Sequence, residues 1–328
     1  MKVRIAIDAM GGDFAPAVCV QGAQLALREI SDIEIYLVGR SSEISPLIKG
    51  REGIHIIDAK EVIAMDEAPA LSVRRKKDSS INKAIKMLKE READVFISAG
   101  NTGAVVCAAT MILRTLPKVE RPGIAIMFPT VKGFSLMIDV GANIDPKPLH
   151  LFQYGLMGAA YAELILDKQN PSLGLLNIGE EESKGTEFMK SVNTLLKEGA
   201  SNYIGNIEGR DIFFGKCDVI IADGFVGNVA LKVSESVAMA IAELLKERIK
   251  EGVLSRLGAL LMLPVLKRLK QDMDYAEHGG APLLGIDGNI IICHGSSSSK
   301  AIKNSIKVAK EMVELGLREK IRDKIVLV

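Results

Sequence analysis

Asp94-Val-Phe-Ile-Ser-Ala-Gly-Asn-Thr-Gly-Ala104, running on into Val105-Val-Cys-Ala-Ala-Thr-Met-Ile-Leu113, is the stretch whose reading decides the fold. A short apolar run breaks at Gly100-Asn101-Thr102-Gly103 and resumes as small and apolar residues, the pattern of a buried strand, a tight turn and a packed helix. Gly100 and Gly103 remove side chains where the backbone bends or is approached closely, and Asn101 or Thr102 caps the helix. The first N–H groups of such a helix, at the positive end of its dipole, suit an anion such as phosphate. Taken singly, a Gly-x-x-Gly after a strand is ordinary turn chemistry.

Outward from this unit the same order of strand, turn and helix repeats. Val3–Ile7 ends at Asp8-Ala-Met-Gly-Gly-Asp13 and precedes a helix from about Pro16 to Ile30; Ile33–Val38 and Ile54–Ile57 follow as strands. Gly123–Phe128 and Phe134–Ile138, separated by Pro129 to Gly133, predict an antiparallel hairpin. A long helix from about Pro148 to Leu166, strands at Leu173–Ile178, Ser201–Ile207, Cys217–Ala222 and Asn289–Cys293, and a last helix to about Leu315 complete the pattern. The fold class expected is α/β, a three-layer α/β/α sandwich on a mostly parallel, doubly wound sheet that includes an antiparallel pair.

Two segments depart from that regularity. Glu67 to Ser80 reads as a loop broken at Ala68-Pro69, with the charge run Arg74-Arg75-Lys76-Lys77 as either a solvated surface or a patch for an acidic partner; Ser79 or Ser80 caps the next helix. From Val226 a helix of period 3.6 passes through Val229, Val233, Val237, Ile241 and Leu244-Leu245 into 252–270, the most apolar part of the chain. That part is amphipathic and basic: Leu254, Leu257, Leu260, Leu261, Leu263 and Leu269 alternate with Arg256, Lys267, Arg268 and Lys270, and Pro264 should break it into two short helices. It suits a membrane surface, a core or a dimer contact equally. No linker is evident, so 1–328 is read as one domain in which 226–275 forms a long helix and a projecting tip.

Composition narrows the function. With 42 basic and 41 acidic residues in 328, no general nucleic-acid partner is indicated. Cys19, Cys107, Cys217 and Cys293 are scattered without a CxxC, as in a reduced cytosolic protein, and neither a signal-peptide core nor about 20 consecutive apolar residues is found. The chain lacks GxGxxG with its acidic partner and GxxxxGK[ST], and His55, His150, His278 and His294 show no zinc spacing. Asp8, Asp13, Asp139 and Asp223 either hold magnesium as a group or cap helices; no metal or cofactor is assigned. A Cys293 nucleophile beside His294 is disfavoured, because neighbours on a strand point to opposite faces. Six strand ends carry Gly with Asp, Asn or Ser: Asp8 to Asp13, Ser98 to Asn101, Asp139 to Asn143, Asn177 to Gly179, Asp223 to Asn228, and His294 to Ser296. In a mostly parallel sheet such ends fall along one edge, so a single crevice of backbone N–H groups is expected.

The blocks Ile7 to Asp13, Ser72 to Ser80, Ser98 to Ala104, Asp139 to Asn143, Asn177 to Gly185, Ala222 to Asn228, and His294 to Ser298 stand in the order of one family. Over essentially its full length the chain resembles the bacterial phosphate acyltransferases of phospholipid synthesis, which turn acyl-acyl carrier protein and phosphate into acyl phosphate. The resemblance implies an isopropylmalate-dehydrogenase-like fold, a homodimer, no cofactor, and a cytoplasmic protein at the inner face of the cell membrane. It also implies hand-off to a membrane glycerol-3-phosphate acyltransferase. Phosphate is its own nucleophile, so such an enzyme needs oriented phosphate and donors for the developing oxyanion. The residues expected to serve catalysis are Lys184, His294, Asn101, Asp223 and Asn228. Those expected to bind substrate or phosphate are Asp8, Gly11, Gly12, Gly100, Thr102, Gly103, Asn143, Gly179, Gly224, Gly227 and Ser296. Arg74, Arg75, Lys76 and Lys77 are the first carrier-protein patch, with Arg114, Lys118 and Arg121 second; Leu257, Leu260, Leu261 and Leu263 form the membrane tip. The alternatives are a phosphate acetyl- or butyryltransferase acting on acyl-coenzyme A and a non-catalytic regulator that binds the carrier protein.

Overall fold

In the computed structural model, residues 2–48, 52–273 and 279–326 are described, the side chains of 269–273 excepted. His278 and the side chains of Leu269 and Lys270 therefore lie outside the described part. The strands are β1 (Val3–Asp8), β2 (Ile33–Gly39), β3 (Ile54–Asp58), β4 (Val95–Ser98), β5 (Gly123–Thr130), β6 (Gly133–Ile138), β7 (Leu173–Leu176), β8 (Tyr203–Ile207), β9 (Val219–Ile221), β10 (Ala281–Leu284) and β11 (Asn289–Ile292). The helices are α1 (Ala17–Glu29), α2 (Ser41–Ile44), α3 (Pro69–Arg75), α4 (Ser80–Lys89), α5 (Thr102–Ile112), α6 (Pro148–Ile165), α7 (Glu187–Gly199), α8 (Gly224–Lys250), α9 (Val253–Met273), α10 (Ser299–Glu314) and α11 (Leu317–Val326).

Among the described residues one 11-stranded sheet runs in the order β3-β2-β1-β4-β11-β10-β5-β6-β9-β7-β8. Side-chain alternation sorts the core into two layers. Ile5 and Ile7 of β1 belong to the layer that α1, α10 and, farther along the sheet, α6 and α7 cover, whereas Ala6 and Phe96 belong to the layer under α4 and α5, so helices cover both faces as expected of the α/β/α class. Val95, Phe96 and Ile97 of the opening stretch are fully buried, each such side chain stabilising the fold by about 1.5–3 kcal/mol.

Strand direction is where the expected crevice fails. β1, β2, β3, β4 and β11 are parallel; β10 reverses, β5 returns to the first direction, and β6, β9, β7 and β8 all run against it. The β5–β6 hairpin is the predicted antiparallel pair, and β10, which the sequence reading missed, is antiparallel to both neighbours. Consequently the turns after β1, β4 and β11 lie at one edge of the sheet and those after β6, β7 and β9 at the opposite edge. Six turns become two groups of three.

Three local expectations also change. Pro69 occupies the first turn of α3 rather than breaking the chain, because its missing N–H costs nothing there. Pro264 lies inside α9, which stays continuous, and the break falls at Glu251-Gly252 between α8 and α9. Among the described residues α8 alone is long and apolar enough, by length and composition, to cross a membrane: 27 residues with a stretch of mean hydropathy 1.3 that is only 6% buried. Its start is bonded to the sheet edge, and Lys232 pairs with Glu235 in its third turn at 2.9 Å.

Candidate active site

At the first edge Asp8 organises the turns. Its Oδ2 accepts a hydrogen bond from Ser98 Oγ at 2.8 Å, its Oδ1 one from the Met10 N–H at 3.1 Å, and Ser98 Oγ in turn accepts the Gly100 N–H at 3.0 Å. Complete burial pushes the Asp8 carboxyl above its ordinary range, against the pull of Ser80, Ser98 and the Met10 and Gly11 amides. A methyl group on Gly11 would stand 2.5 Å from Asp8 Oδ2 and 2.6 Å from Gly100 N, so only glycine lets the β1 and β4 turns stack. The Asp13 N–H reaches Gly295 O at 2.8 Å and ties in the turn after β11.

Asn101 resolves the capping alternatives. Its Oδ1 accepts the Ala104 N–H at 2.9 Å, and its Nδ2 donates to the carbonyls of Ala64, Met65 and Glu67, each at 3.1 Å. The carboxamide is thus spent on fixing α5 to the 64–67 segment. The Thr102 and Gly103 N–H groups, which a helix cannot satisfy internally, stand at the start of α5 with Thr102 exposed. His294 is exposed; its Nδ1 accepts the Ser296 N–H at 3.2 Å, which leaves the proton of the neutral ring on Nε2. Cys293 points the other way, buried against Ser305 Oγ at 3.0 Å with its thiol pushed up to about 11 by burial. That thiol is not an accessible nucleophile.

At the opposite edge Asp139 plays the organising part. Oδ1 accepts the N–H groups of Ile124, Gly141 and Ala142, each at 3.0 Å, and Oδ2 that of Asn143 at 2.8 Å. Burial raises its carboxyl and these four bonds oppose the rise. The Gly224 N–H bonds to Asn143 O at 3.1 Å, Asp223 Oδ1 caps Val226 N at 2.8 Å, and Asn228 Nδ2 donates to Val140 O at 3.0 Å. A methyl on Gly227 would lie 1.9 Å from Asp139 O. Buried His150, not foreseen, joins this edge. Its Nδ1 accepts the Lys147 N–H at 3.0 Å and faces Asn143 Nδ2 at 3.2 Å, while Nε2 is 2.8 Å from Glu120. Nothing in the spacing of His150 and Glu120 announces this pairing, which depends on the fold of the 139–150 turn.

Lys184 is exposed in the turn after β7, its stem where a methyl on Gly179 would meet it at 2.8 Å. Glu180 is bound by Lys216 at 2.7 Å and Glu182 by Lys197, so the acidic run beside Lys184 is partly neutralised by other cations. The structure therefore gathers Asp8, Gly11, Gly12, Gly100 to Gly103, His294 and Ser296 at one edge. Asn143, Gly179, Lys184, Gly224, Gly227, Asp223 and Asn228 gather at the other. The magnesium grouping is dissolved likewise, with Asp8 and Asp13 on one edge and Asp139 and Asp223 on the other. Lys76 leaves the basic patch: its Nζ binds Val62 O at 2.6 Å and Glu67, while Arg74, Arg75 and Lys77 are exposed.

Helix starts at the ends of an α/β sheet, without a dinucleotide fingerprint, are a setting that suits small anions. Solved structures place the fold among the phosphotransacylases: a phosphotransacetylase from Streptococcus pyogenes superposes with a TM-score of 0.63 at 18% identity, covering 95% of this chain and 94% of that one. A 4-hydroxythreonine-4-phosphate dehydrogenase from Klebsiella pneumoniae shares it at a TM-score of 0.56 and 10% identity, over 95% and 100% of the two chains. At such identities the likeness concerns fold alone. The model of the fatty acid synthesis protein family matches residues 3–320, and a phosphate acyltransferase from Desulfitobacterium hafniense is 51% identical over 98% of this chain and 97% of its own. The chain belongs to that family.

Proposed function

We propose that this protein transfers the acyl group of a long-chain acyl-acyl carrier protein to inorganic phosphate, giving acyl phosphate and free carrier thiol, in phospholipid synthesis. The observation that carries the reading is the 51% identity, over nearly the whole length of both chains, to a phosphate acyltransferase. Phosphate oxygen attacks the thioester carbon, the carbon–sulfur bond breaks, and the departing thiolate takes up a proton. A thiol of ordinary pKa about 8.5 leaves readily, so positioning and oxyanion stabilisation are the main needs. The α5 and α8 starts supply backbone donors, Lys184 and His294 supply side-chain donors, and Asp8, Asn101, Asn143, Asp223 and Asn228 hold those starts in place.

The division of donors between opposite edges supports a homodimer. A two-fold operation reverses one sheet against the other and can set the α5 edge of one protomer beside the α8 edge of its partner. The face of α8 that presents Val229, Val233, Val237 and Ile241, each about half exposed, is apolar enough for such a contact. The exposed Arg74, Arg75 and Lys77 suit an acidic carrier protein beside the α5 edge. Leu254 and Leu261, 85% and 82% exposed on α9, with Leu257, Leu260 and Leu263, suit a membrane surface, from which acyl phosphate passes to a membrane glycerol-3-phosphate acyltransferase. This makes the enzyme a cytoplasmic protein held at the inner face of the membrane. Incubation with palmitoyl-acyl carrier protein and phosphate should yield palmitoyl phosphate, faster than from palmitoyl-coenzyme A. No acyl phosphate from the carrier substrate would sink the proposal, and preference for coenzyme A would transfer the protein to the soluble-carrier reading.

A further inference from the structure

His150 is the third residue of α6, and its ring caps that helix by taking the Lys147 N–H on Nδ1 at 3.0 Å. A Glu or Gln at the same place would serve the cap as well. The ring in addition joins two other groups: Asn143 Nδ2 lies 3.2 Å from the same Nδ1, and Glu120 Oε2 lies 2.8 Å from Nε2.

We infer that His150 is a positioning residue for the acyl transfer, acting through the Asn143 carboxamide on the start of α8. The inference rests on the acyl-transfer reading, which gives that start its task. A ring nitrogen that accepts a backbone N–H carries no proton, so Nδ1 is an acceptor only and Nε2 donates to Glu120. The Asn143 atom facing Nδ1 must then be a donor, which turns the amide nitrogen to the ring and Oδ1 away from it. A reversed carboxamide would set its oxygen against the Nδ1 lone pair.

The ring is held from both sides. Glu120 is a fixed anchor, since its N–H goes to Gln153 Oε1 at 3.0 Å and Gln153 Nε2 to Lys118 O at 2.8 Å. The His150 side chain is only 5% exposed, so a bond lost there is not replaced from solvent. From Asn143 the restraint passes to α8: the Asn143 N–H is bound by Asp139 Oδ2 at 2.8 Å, and its carbonyl takes the Gly224 N–H at 3.1 Å. The Phe225 N–H, next in line, is one that the helix cannot use internally, and its aim follows the seat of Gly224. A chain of hydrogen bonds thus runs from Glu120 at the surface, through a buried ring, to the donors at the start of α8.

Two replacements separate this role from filling space. His150→Leu keeps bulk and removes the acceptor, whereas His150→Asn keeps an acceptor near the place of Nδ1 and gives up bulk. With palmitoyl-acyl carrier protein and phosphate, kcat should fall about tenfold in His150→Leu, with the KM for carrier protein unchanged, and recover in His150→Asn. Packing alone predicts the reverse order. Because His150 acts through Asn143, His150→Leu should cost nothing further in an Asn143→Ala background. Glu120→Ala, which loosens the ring from a 44% exposed position without touching the core, should show the same dependence on Asn143. Equal or greater loss in His150→Asn than in His150→Leu, no loss in any single variant, or losses that multiply in either double variant overturn the inference. Hydrogen exchange of the Gly224 amide, followed on the full protein without substrates, keeps the two readings apart. Faster exchange in His150→Leu than in wild type and His150→Asn upholds the positioning even if no acyl phosphate forms, whereas one rate in all three refutes it even in an active enzyme.

Discussion

The same substitution, glycine to alanine, should have opposite effects at two points 31 residues apart, because one methyl has nowhere to go. At Gly227 it would stand 1.9 Å from Asp139 O, an atom of the segment that four backbone bonds to the Asp139 carboxylate hold. A normal contact needs about 3.4 Å or more, so the start of α8 must retreat by roughly 1.5 Å. That lengthens the Gly224 N–H bond to Asn143 O, now 3.1 Å, and the Asn228 bond to Val140 O, now 3.0 Å, beyond hydrogen-bond range. Two lost bonds, with partly buried groups left unpaired, cost about 2–4 kcal/mol, and displacement of the α8 donors by more than 1 Å should lower kcat/KM by about 100-fold. At Gly258, exposed on α9, a methyl meets nothing within 4 Å, and Gly258→Ala should stabilise that helix by about 0.5–1 kcal/mol. Thermal unfolding and acyl phosphate formation measured on both variants provide the check. A Gly227→Ala protein with wild-type melting temperature and wild-type turnover would refute the packing of α8 on the 139–143 turn and the role given to its start.

Lys184→Ala should raise the phosphate KM or lower kcat by at least about tenfold, roughly 1.4 kcal/mol; wild-type kinetics would remove Lys184 from the site. If unlike edges of two protomers share each site, mixing the impaired Lys184→Ala and His294→Ala subunits should raise activity above that of either alone, to about a quarter of wild type, through heterodimers, and no recovery would confine each site to one protomer. Replacing both Leu260 and Leu261 by Glu should abolish binding to anionic liposomes, and retained co-sedimentation would disprove the membrane tip. Glu67, held at about 2 by its bonds to Lys76, Ser72 and the Ala64 amide, has a folded pKa below its ordinary 4.5. Its contribution is therefore present above the ordinary value and lost as pH falls toward 2. Acid titration should loosen the 61–79 segment in that window, read by amide hydrogen exchange, and Glu67→Gln should flatten the profile there.

The sequence by itself determined the class of fold and the chemistry of its turns. Gly100-Asn101-Thr102-Gly103 announced a capped helix after a buried strand because strand, turn and helix are local states that neighbouring residues set through periodicity and φ preference. The apolar stripe of α8 and the leucines of α9 were legible for the same reason. The tertiary structure alone decided which turns share an edge. A strand of three to five residues such as β10 or β9 carries no mark of its direction in its own composition, since direction is fixed by which neighbour it pairs with. The reversal at β10 is undone at β5, so the β5–β6 hairpin, legible in the sequence, is what separates Lys184 from His294 once the strand order is known. The same reason hid the His150–Glu120 couple and the engagement of Lys76 with Glu67. Such contacts join residues across turns that only the folded chain brings within hydrogen-bond reach, whereas the glycines that permit them were visible from the start.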